Sequence, residues 1–463
     1  MPRHDYQGLS FWLETAGEPL TPRRALSGNV TVDVAILGGG YSGLWTAYYL
    51  LRDNPGLEVA IVEAEICGYG ASGRNGGWCS SRYPLHPSTL EARYGADVAR
   101  ETILAMYDTV DEVGRVCEAE GIDADFRMNG ILSLARGEAQ LAAVQAAHAA
   151  YERLGFGEGN RLLGEAAAGE RVRVSGIKGA LYTPRSAAVH PAKLVRGLAK
   201  AVERLGGAIY EQTRVRRLRT GADAALETES GRVSARKAVI AAGEAYLPKM
   251  PGFERALAPM SSSIVLTKPL SEAQWNEIGW SGGEGLGSQA HTVDYLTRTA
   301  DGRILYGSRG APYLFGSATE GAEAAFARTS QQMRRQLTGW FPVLRDVDFS
   351  HAWHGFLGVP RDWNPSVNFN PATRLGVLHG YTGRGVSTTN LAGRLLASQV
   401  LGRETPLARL PLARHRTRPW EPEPFRWLGI RYVQDAMKRM DAARDAGRPP
   451  PFDAPLAKRL SDQ

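Results

Sequence analysis

Cysteine is scarce in this chain of 463 residues, which holds three: Cys67, Cys79 and Cys117. The set is odd and contains no C-x-x-C pair, so neither a disulfide framework nor a cysteine metal centre organises the fold, and no metal site is expected. Long apolar runs are missing as well. No window of about 18 uninterrupted apolar residues occurs, and the opening stretch MPRHDYQGLSFWLETAGEPL has no apolar core of signal-peptide length. The expectation is a protein of the reducing cytoplasm, neither exported by that route nor spanning a membrane. Zinc-ligand spacing, a helix-turn-helix, low-complexity tracts and internal repeats are also lacking. The basic excess, a formal +7, is spread along the chain and densest at ARHRTRPW near its end. It reads as solvated surface, with no nucleic-acid partner.

What is there is an ordinary globular composition, 43% hydrophobic and 22% charged, on a chain long enough for two or three lobes. Residues 1–29 form a turn-rich arm with Phe11 and Trp12 as anchors. VDVAIL, from Val32 to Leu37, is a short buried-strand pattern. YSGLWTAYYLLRD then places Leu44, Ala47, Tyr48 and Leu51 at helical spacing, and EVAIVEA is a second strand pattern. Strand, Gly-rich turn, helix and strand make a βαβ unit. Nucleotide-sheet patterns return in HPAKLVRGLAKAVERLGGAIYEQTRV, in KAVIAAGEAY and in LGVLHGYTGRGVSTTNLAGRLLASQVLG. Between them lie amphipathic helices and, from about residue 255 to 360, strand-like runs with a turn at Asp301-Gly302.

Gly38, Gly40 and Gly43 form G-x-G-x-x-G between the first strand and helix, and Glu63 ends the next strand about twenty residues on. That spacing serves a tight turn, close approach of the backbone to a pyrophosphate at a helix N-terminus, and an acid for ribose hydroxyls. Both FAD and nicotinamide cofactors carry the ADP half such a motif grips. The recurrence of sheet patterns in three separated segments, with a second Gly-rich turn before a late helix, selects FAD in a discontinuous domain. GYTGRGV then offers backbone amides and a positive helix end to the flavin pyrimidine, or is simply a tight helix start. A further Gly-rich stretch, GYGASGRNGGWCS from Gly68 to Ser80, supplies close clearance beside something flat.

Together VAILGGGYSGLWTAYYL with VEA, GASGRNGG, HPAKLVRGLA, AVIAAGEAY, DGRILYGS and HGYTGRGVSTTNLAGRLLA resemble the D-amino-acid oxidase superfamily of FAD enzymes. The likeness covers roughly residues 30 to 410 and is greatest to the branch of glycine oxidase, sarcosine oxidase and gamma-glutamylputrescine oxidase. It implies an α/β fold: a discontinuous Rossmann-like FAD-binding domain (30–95, 171–250 and 365–410), a mainly antiparallel β-sheet substrate domain with helices (96–170 and 251–364), and a C-terminal helical tail (411–463). By the same likeness Gly38, Gly40, Ser42 and Gly43 hold the pyrophosphate, and Glu63 with Ala64 the adenosine ribose. Ser72, Arg74, Asn75, Gly76 and Gly77 run along the cofactor towards the isoalloxazine. Val215 meets the adenine, Ala242 and Gly243 follow the returning strand, and Gly383, Gly385, Val386 and Ser387 form the pyrimidine turn.

The resemblance implies oxidation of a C–N bond of a primary or secondary amine to an imine, hydrolysed to aldehyde and amine, with dioxygen reduced to hydrogen peroxide. Gamma-glutamylputrescine-like amines, or others with a remote anionic group, are the expected substrates. Departures from the family pattern shape that reading. WHGFLGVP has no arginine where α-amino-acid oxidases carry one for the substrate carboxylate, and GRILYGS has no lysine where the sarcosine oxidase branch activates oxygen. No cysteine follows Cys117, so FAD is expected to be non-covalent, a link through His351 or His354 being the lesser alternative. Tyr295 and His354 are the expected catalytic residues, with Arg298, Arg309 and Trp353 at the substrate and His190 a helix-entry residue. The rival readings are a dehydrogenase feeding a quinone or carrier protein and a flavin-binding scaffold without turnover. The tail, PWEPEPFRWLGIRYVQDAMKRM, either docks on the protein's own body, the favoured reading, or meets a membrane surface.

Overall fold

The β-branched run Val30–Leu37 and the wholly buried Val59–Val62 pair in parallel, as strands covered on both faces do. This is a computed structural model; it describes residues 5–309, 311–321 and 323–461. Around these two strands grows the first sheet, in the order Ser366–Asn370, Leu375–His379, Arg232–Ala241, Val30–Leu37, Val59–Val62 and Ala208–Tyr210. All neighbours are parallel except the first pair. Val215–Arg219 and Ala225–Thr228 extend it through Arg232–Ala241. Three segments far apart in sequence thus build one nucleotide-type sheet, the discontinuous α/β arrangement the sequence implies.

Helices Tyr41–Asp53, Pro191–Arg204 and Gly385–Val400 cover it and share one core with it. Trp45 and Tyr49 are fully buried there and stack at 5.7 Å. Gly393 lets the last helix close onto the first, because a Cβ at that position would lie 2.8 Å from Trp45 Cβ and 2.9 Å from its carbonyl carbon.

The second sheet runs Phe349–Val359, Ala258–Thr267, Ile304–Ser308, Asp294–Arg298, Gly285–Ser288, Ile131–Arg136, Ile177–Thr183 and Arg161–Gly164. It is antiparallel except where Gly285–Ser288 meets Ile131–Arg136. Helix Glu323–Trp340 packs on it through Met333, Leu337 and Trp340.

Two expected boundaries shift. Ile177–Thr183, expected in the cofactor domain, pairs with Ile131–Arg136 in the second sheet. Helix Ala96–Ala119, expected in the substrate domain, buries Met106, Val110 and Val113 in the core of the first sheet, and its Glu112 accepts a hydrogen bond from Tyr49. Amphipathic spacing shows that such an element buries a face, but not which neighbour covers it.

The arm and the tail both lie on the body. Phe11, Trp12 and Leu13 are buried with Ile66, Ile264 and Trp353. Helix Phe425–Asp445 buries Ile430, Met437 and Met440, and its Asp441 accepts the backbone N–H groups of His291 and Thr292. Among the described residues no helix is long and apolar enough to cross a membrane.

Candidate active site

Where the carboxyl end of the first sheet faces the second sheet lies a cleft of about 1120 Å³, above the usual range for small-molecule sites. Each motif glycine has its own reason to be there. Gly38 has φ +107°, and a Cβ on it would sit 2.7 Å from the Ala242 carbonyl oxygen. Gly43 brings the helix onto the turn, since its Cβ would fall 2.0 Å from the Gly38 carbonyl oxygen. Gly40 opens the helix, and the backbone N–H of Tyr41 donates to Ser72 Oγ at 3.0 Å, tying the first turn to the second Gly-rich stretch. Glu63 accepts the backbone N–H groups of Gly39 at 2.7 Å and Glu65 at 2.9 Å. Burial raises its pKa, and those N–H donors oppose the rise.

The stretch Gly68–Ser80 is held from outside along its length. Four consecutive carbonyls, those of Gly73, Arg74, Asn75 and Gly76, accept bonds from Ser10 Oγ, Trp353 Nε1, Trp12 Nε1 and Thr297 Oγ1. Asn75 folds back on Ala71 and Ser72 and accepts the N–H of Gly77. A Cβ on Gly76 would lie 2.3 Å from the Tyr295 ring, so glycine there lets Tyr295 pack against the stretch. Arg74 donates from Nε to the Tyr69 carbonyl, while its Nη2 is buried without a hydrogen-bond partner.

The late turn completes the wall. Gly383 has φ +91°, and Thr382, just before it, offers its carbonyl to Arg309 Nη2 at 2.5 Å. Ser42 donates to Tyr381 at 2.9 Å, and Ser387 donates to the Ser80 carbonyl at 2.5 Å, so all three Gly-rich segments are bonded to one another. Tyr295 reaches Ser262 at 3.1 Å, and burial raises its pKa. Glu244 is pushed up to about 8 by burial, against three backbone N–H groups, those of Gly380, Tyr381 and Gly358.

Of the residues expected from the sequence, Gly38, Gly40, Ser42, Glu63, Ala64, Ser72, Arg74, Asn75, Gly76, Val215, Ala242, Gly243, Tyr295, Arg309, Gly383, Gly385 and Val386 line this one cleft. Gly43, Gly77 and Ser387 sit just behind it as packing residues. A Cβ on Gly77, for instance, would lie 2.6 Å from the Val189 carbonyl oxygen. Three expected substrate-side residues are not brought to the cleft. The His354 ring stacks on Phe326 at 3.6 Å, and Trp353 is buried against the arm. Arg298 lies over the Trp275 ring and donates to the Trp280 carbonyl. His351 pairs with Glu14 of the arm, away from the cleft, and His190 accepts the Lys193 N–H as the helix cap expected of it. Arg82, Glu244, Tyr381 and Arg384, which no motif role singles out, also line the cleft. Arg82 follows the Gly68–Ser80 stretch by two residues and Arg384 lies within GYTGRGV, the one sequence signal that points to them.

The glycine cradle, the acid at the strand end and the unpartnered Arg74 Nη2 fit a dinucleotide with a flat head. A family model described as FAD dependent oxidoreductase matches residues 33–399. The chain therefore belongs to the D-amino-acid oxidase family and is an FAD-dependent oxidoreductase. It is 30% identical to gamma-glutamylputrescine oxidoreductase of Escherichia coli over 85% of this chain and 89% of that protein. To glycine oxidase of Geobacillus kaustophilus it is 27% identical over 83% of this chain and 97% of that one. The solved structure of that glycine oxidase superposes with a TM-score of 0.69 at 21% identity, over 83% of this chain and 99% of its own. L-proline dehydrogenase from P. horikoshii gives 0.66 at 18%, over 86% and 100%, a likeness of fold.

Proposed function

We propose that the protein oxidises a C–N bond of a primary or secondary amine with a remote anionic group to the imine, which water hydrolyses to an aldehyde and, respectively, ammonia or a smaller amine. The observation that carries this reading is the meeting, in one cleft, of the three bonded Gly-rich segments with Tyr295 and Arg309 of the second sheet. Gly38, Gly40, Ser42 and Gly43 would seat the FAD pyrophosphate and Glu63 the ribose. Arg74, Asn75 and Gly76 would run beside the isoalloxazine, and Gly383, Gly385 and Val386 would meet its pyrimidine. Bound there, FAD supplies a two-electron acceptor. The 30% identity to gamma-glutamylputrescine oxidoreductase supports an amine as donor.

The chain's own contribution is positioning and charge. Tyr295 packs on Gly76 and, with Ser262, offers a hydroxyl to the amine region. Arg309, its guanidinium fixed on the Thr382 carbonyl, attracts the anionic group. Loss of hydride requires the neutral amine, so the ammonium proton passes to solvent as the substrate is seated. Holding the α C–H in one orientation away from water lowers the barrier further. Dioxygen accepts the electrons in this reading and is released as hydrogen peroxide. The lack of lysine in Ile304–Ser308 favours a second reading, with a quinone or carrier protein as acceptor. Anaerobic titration of the purified yellow protein with a panel of amines is the test. Loss of the flavin bands with an anion-bearing amine is expected, and an unbleached spectrum across the panel would sink the proposal. Comparing peroxide formation with dye reduction in air separates the two acceptors.

A further inference from the structure

Beyond Arg309, four arginines that the proposed chemistry has not used line the same cleft; Arg214 and Arg216 are paired with Glu65 and Glu229, which leaves Arg82 and Arg384. Arg82 follows the second Gly-rich stretch and donates to Ser133 Oγ at 2.6 Å and Thr183 Oγ1 at 3.1 Å, while its Nε is buried with no hydrogen-bond partner. Arg384 stands in the late turn and donates to the Tyr83 carbonyl. Every partner of Arg82, Arg309 and Arg384 is neutral. Among the described residues no carboxylate acts on any of them; Arg384 instead feels the positive charge of both Arg82 and Arg309, and burial lowers the pKa of all three. The two most deeply buried arginines of the described residues, Arg196 and Arg426, are by contrast matched. Arg196 meets Glu18 at 2.7 Å, and Arg426 meets Glu423 at 2.9 Å. Three like charges gathered without counter-charge are costly to hold unless an anion completes them.

The cofactor does not supply that anion. Its pyrophosphate belongs at the glycine turn of Gly38–Gly43, and an isoalloxazine takes up at most one negative charge on reduction. Nor do the cleft's own acids. Glu63 and Asp294 are held by N–H and O–H donors of their own, Glu244 sits on backbone N–H groups, Glu65 is taken by Tyr6 and Arg214, and Glu320 faces Lys249. We propose that Arg82, Arg384 and Arg309 seat a doubly charged anionic head group on the substrate, a phosphonate, a phosphate monoester or a pair of carboxylates, with the amine end directed to Tyr295. Planar guanidinium groups suit such oxygens because each can donate two parallel bonds. This assignment rests on the amine reading for its substrate but on the three arginines for its site.

The FAD-loaded protein is titrated with methylphosphonate, succinate and propionate, following the change in the flavin absorption bands. The two dianions are expected to bind about tenfold or more tighter than propionate. Whichever dianion binds tighter distinguishes a tetrahedral head from twin carboxylates. Arg82→Gln is expected to weaken dianion binding about tenfold with the flavin spectrum retained, and Arg82→Lys to recover part of the loss. Equal affinity for propionate and the dianions, or dianion binding unchanged in Arg82→Gln, would overturn the proposal. The two readings fail separately. If amines do not bleach the flavin but methylphosphonate still binds through Arg82, the amine reading falls and the anion site stands.

Discussion

Glu244 is a carboxylic acid where charge is costly. Its backbone is in the left-handed region at φ +44°, and burial raises its pKa from the ordinary 4.5 to about 8. The folded protein keeps this proton while the unfolded chain gives it up near 4.5. The stabilising contribution is therefore complete below the lower value and is lost as pH rises through the upper one. Thermal unfolding between about pH 6 and about pH 9 is expected to show the melting temperature falling, with a shallower fall in Glu244→Gln. A slope equal in the two proteins would refute the assignment. The same scale shows what the sequence could and could not say. Gly38 and Gly43 were legible because backbone contacts forbid a Cβ at those positions, and that need travels with the motif. Trp353 and His354 were not. Their strand meets the cleft only further along, at Gly355, Phe356 and Leu357, and which part of a strand borders the cleft depends on a sheet order that eight separated strands decide together. Arg82 and Arg384 were hidden for a related reason, since their lack of counter-charge exists only once the chain is folded.

At the scale of elements, the helix pair Tyr41–Asp53 and Gly385–Val400 carries both the first glycine turn and the late turn, so its spacing sets the distance between them. Gly393→Ala places a methyl group within 3.0 Å of the Trp45 and Thr46 backbone, where neither neighbour can yield cheaply. Overpacking of this kind costs about 1–3 kcal/mol. Urea unfolding is expected to show that loss of stability, together with weaker retention of FAD on dialysis; a variant as stable as the parent would show that the helices are free to part. The βαβ unit was legible in strand and helix periodicity, and helix Tyr41–Asp53 falls on the stretch that the spacing marked. The company kept by Ala96–Ala119 and Ile177–Thr183 was not, because amphipathic spacing carries no address.

At the scale of the whole molecule, the arm and the tail both pack against strands of the second sheet. The tail closes over the second sheet and roofs a smaller cavity of about 280 Å³ that shares Val293, Arg309 and Trp363 with the main cleft. The arm reaches the Gly68–Ser80 stretch itself. Trp12 and Trp353, some 340 residues apart in sequence, bond to adjacent carbonyls of that loop, and Trp78 borders the cleft. Indole emission overlaps flavin absorption, so these three rings form a built-in optical gauge of cofactor occupancy. Loading FAD into apoprotein is expected to quench tryptophan emission, with a smaller quench in Trp12→Phe; identical quenching in the variant would place the arm out of range. The grip that fixes the loop thereby also reports, as light, whether the enzyme is filled.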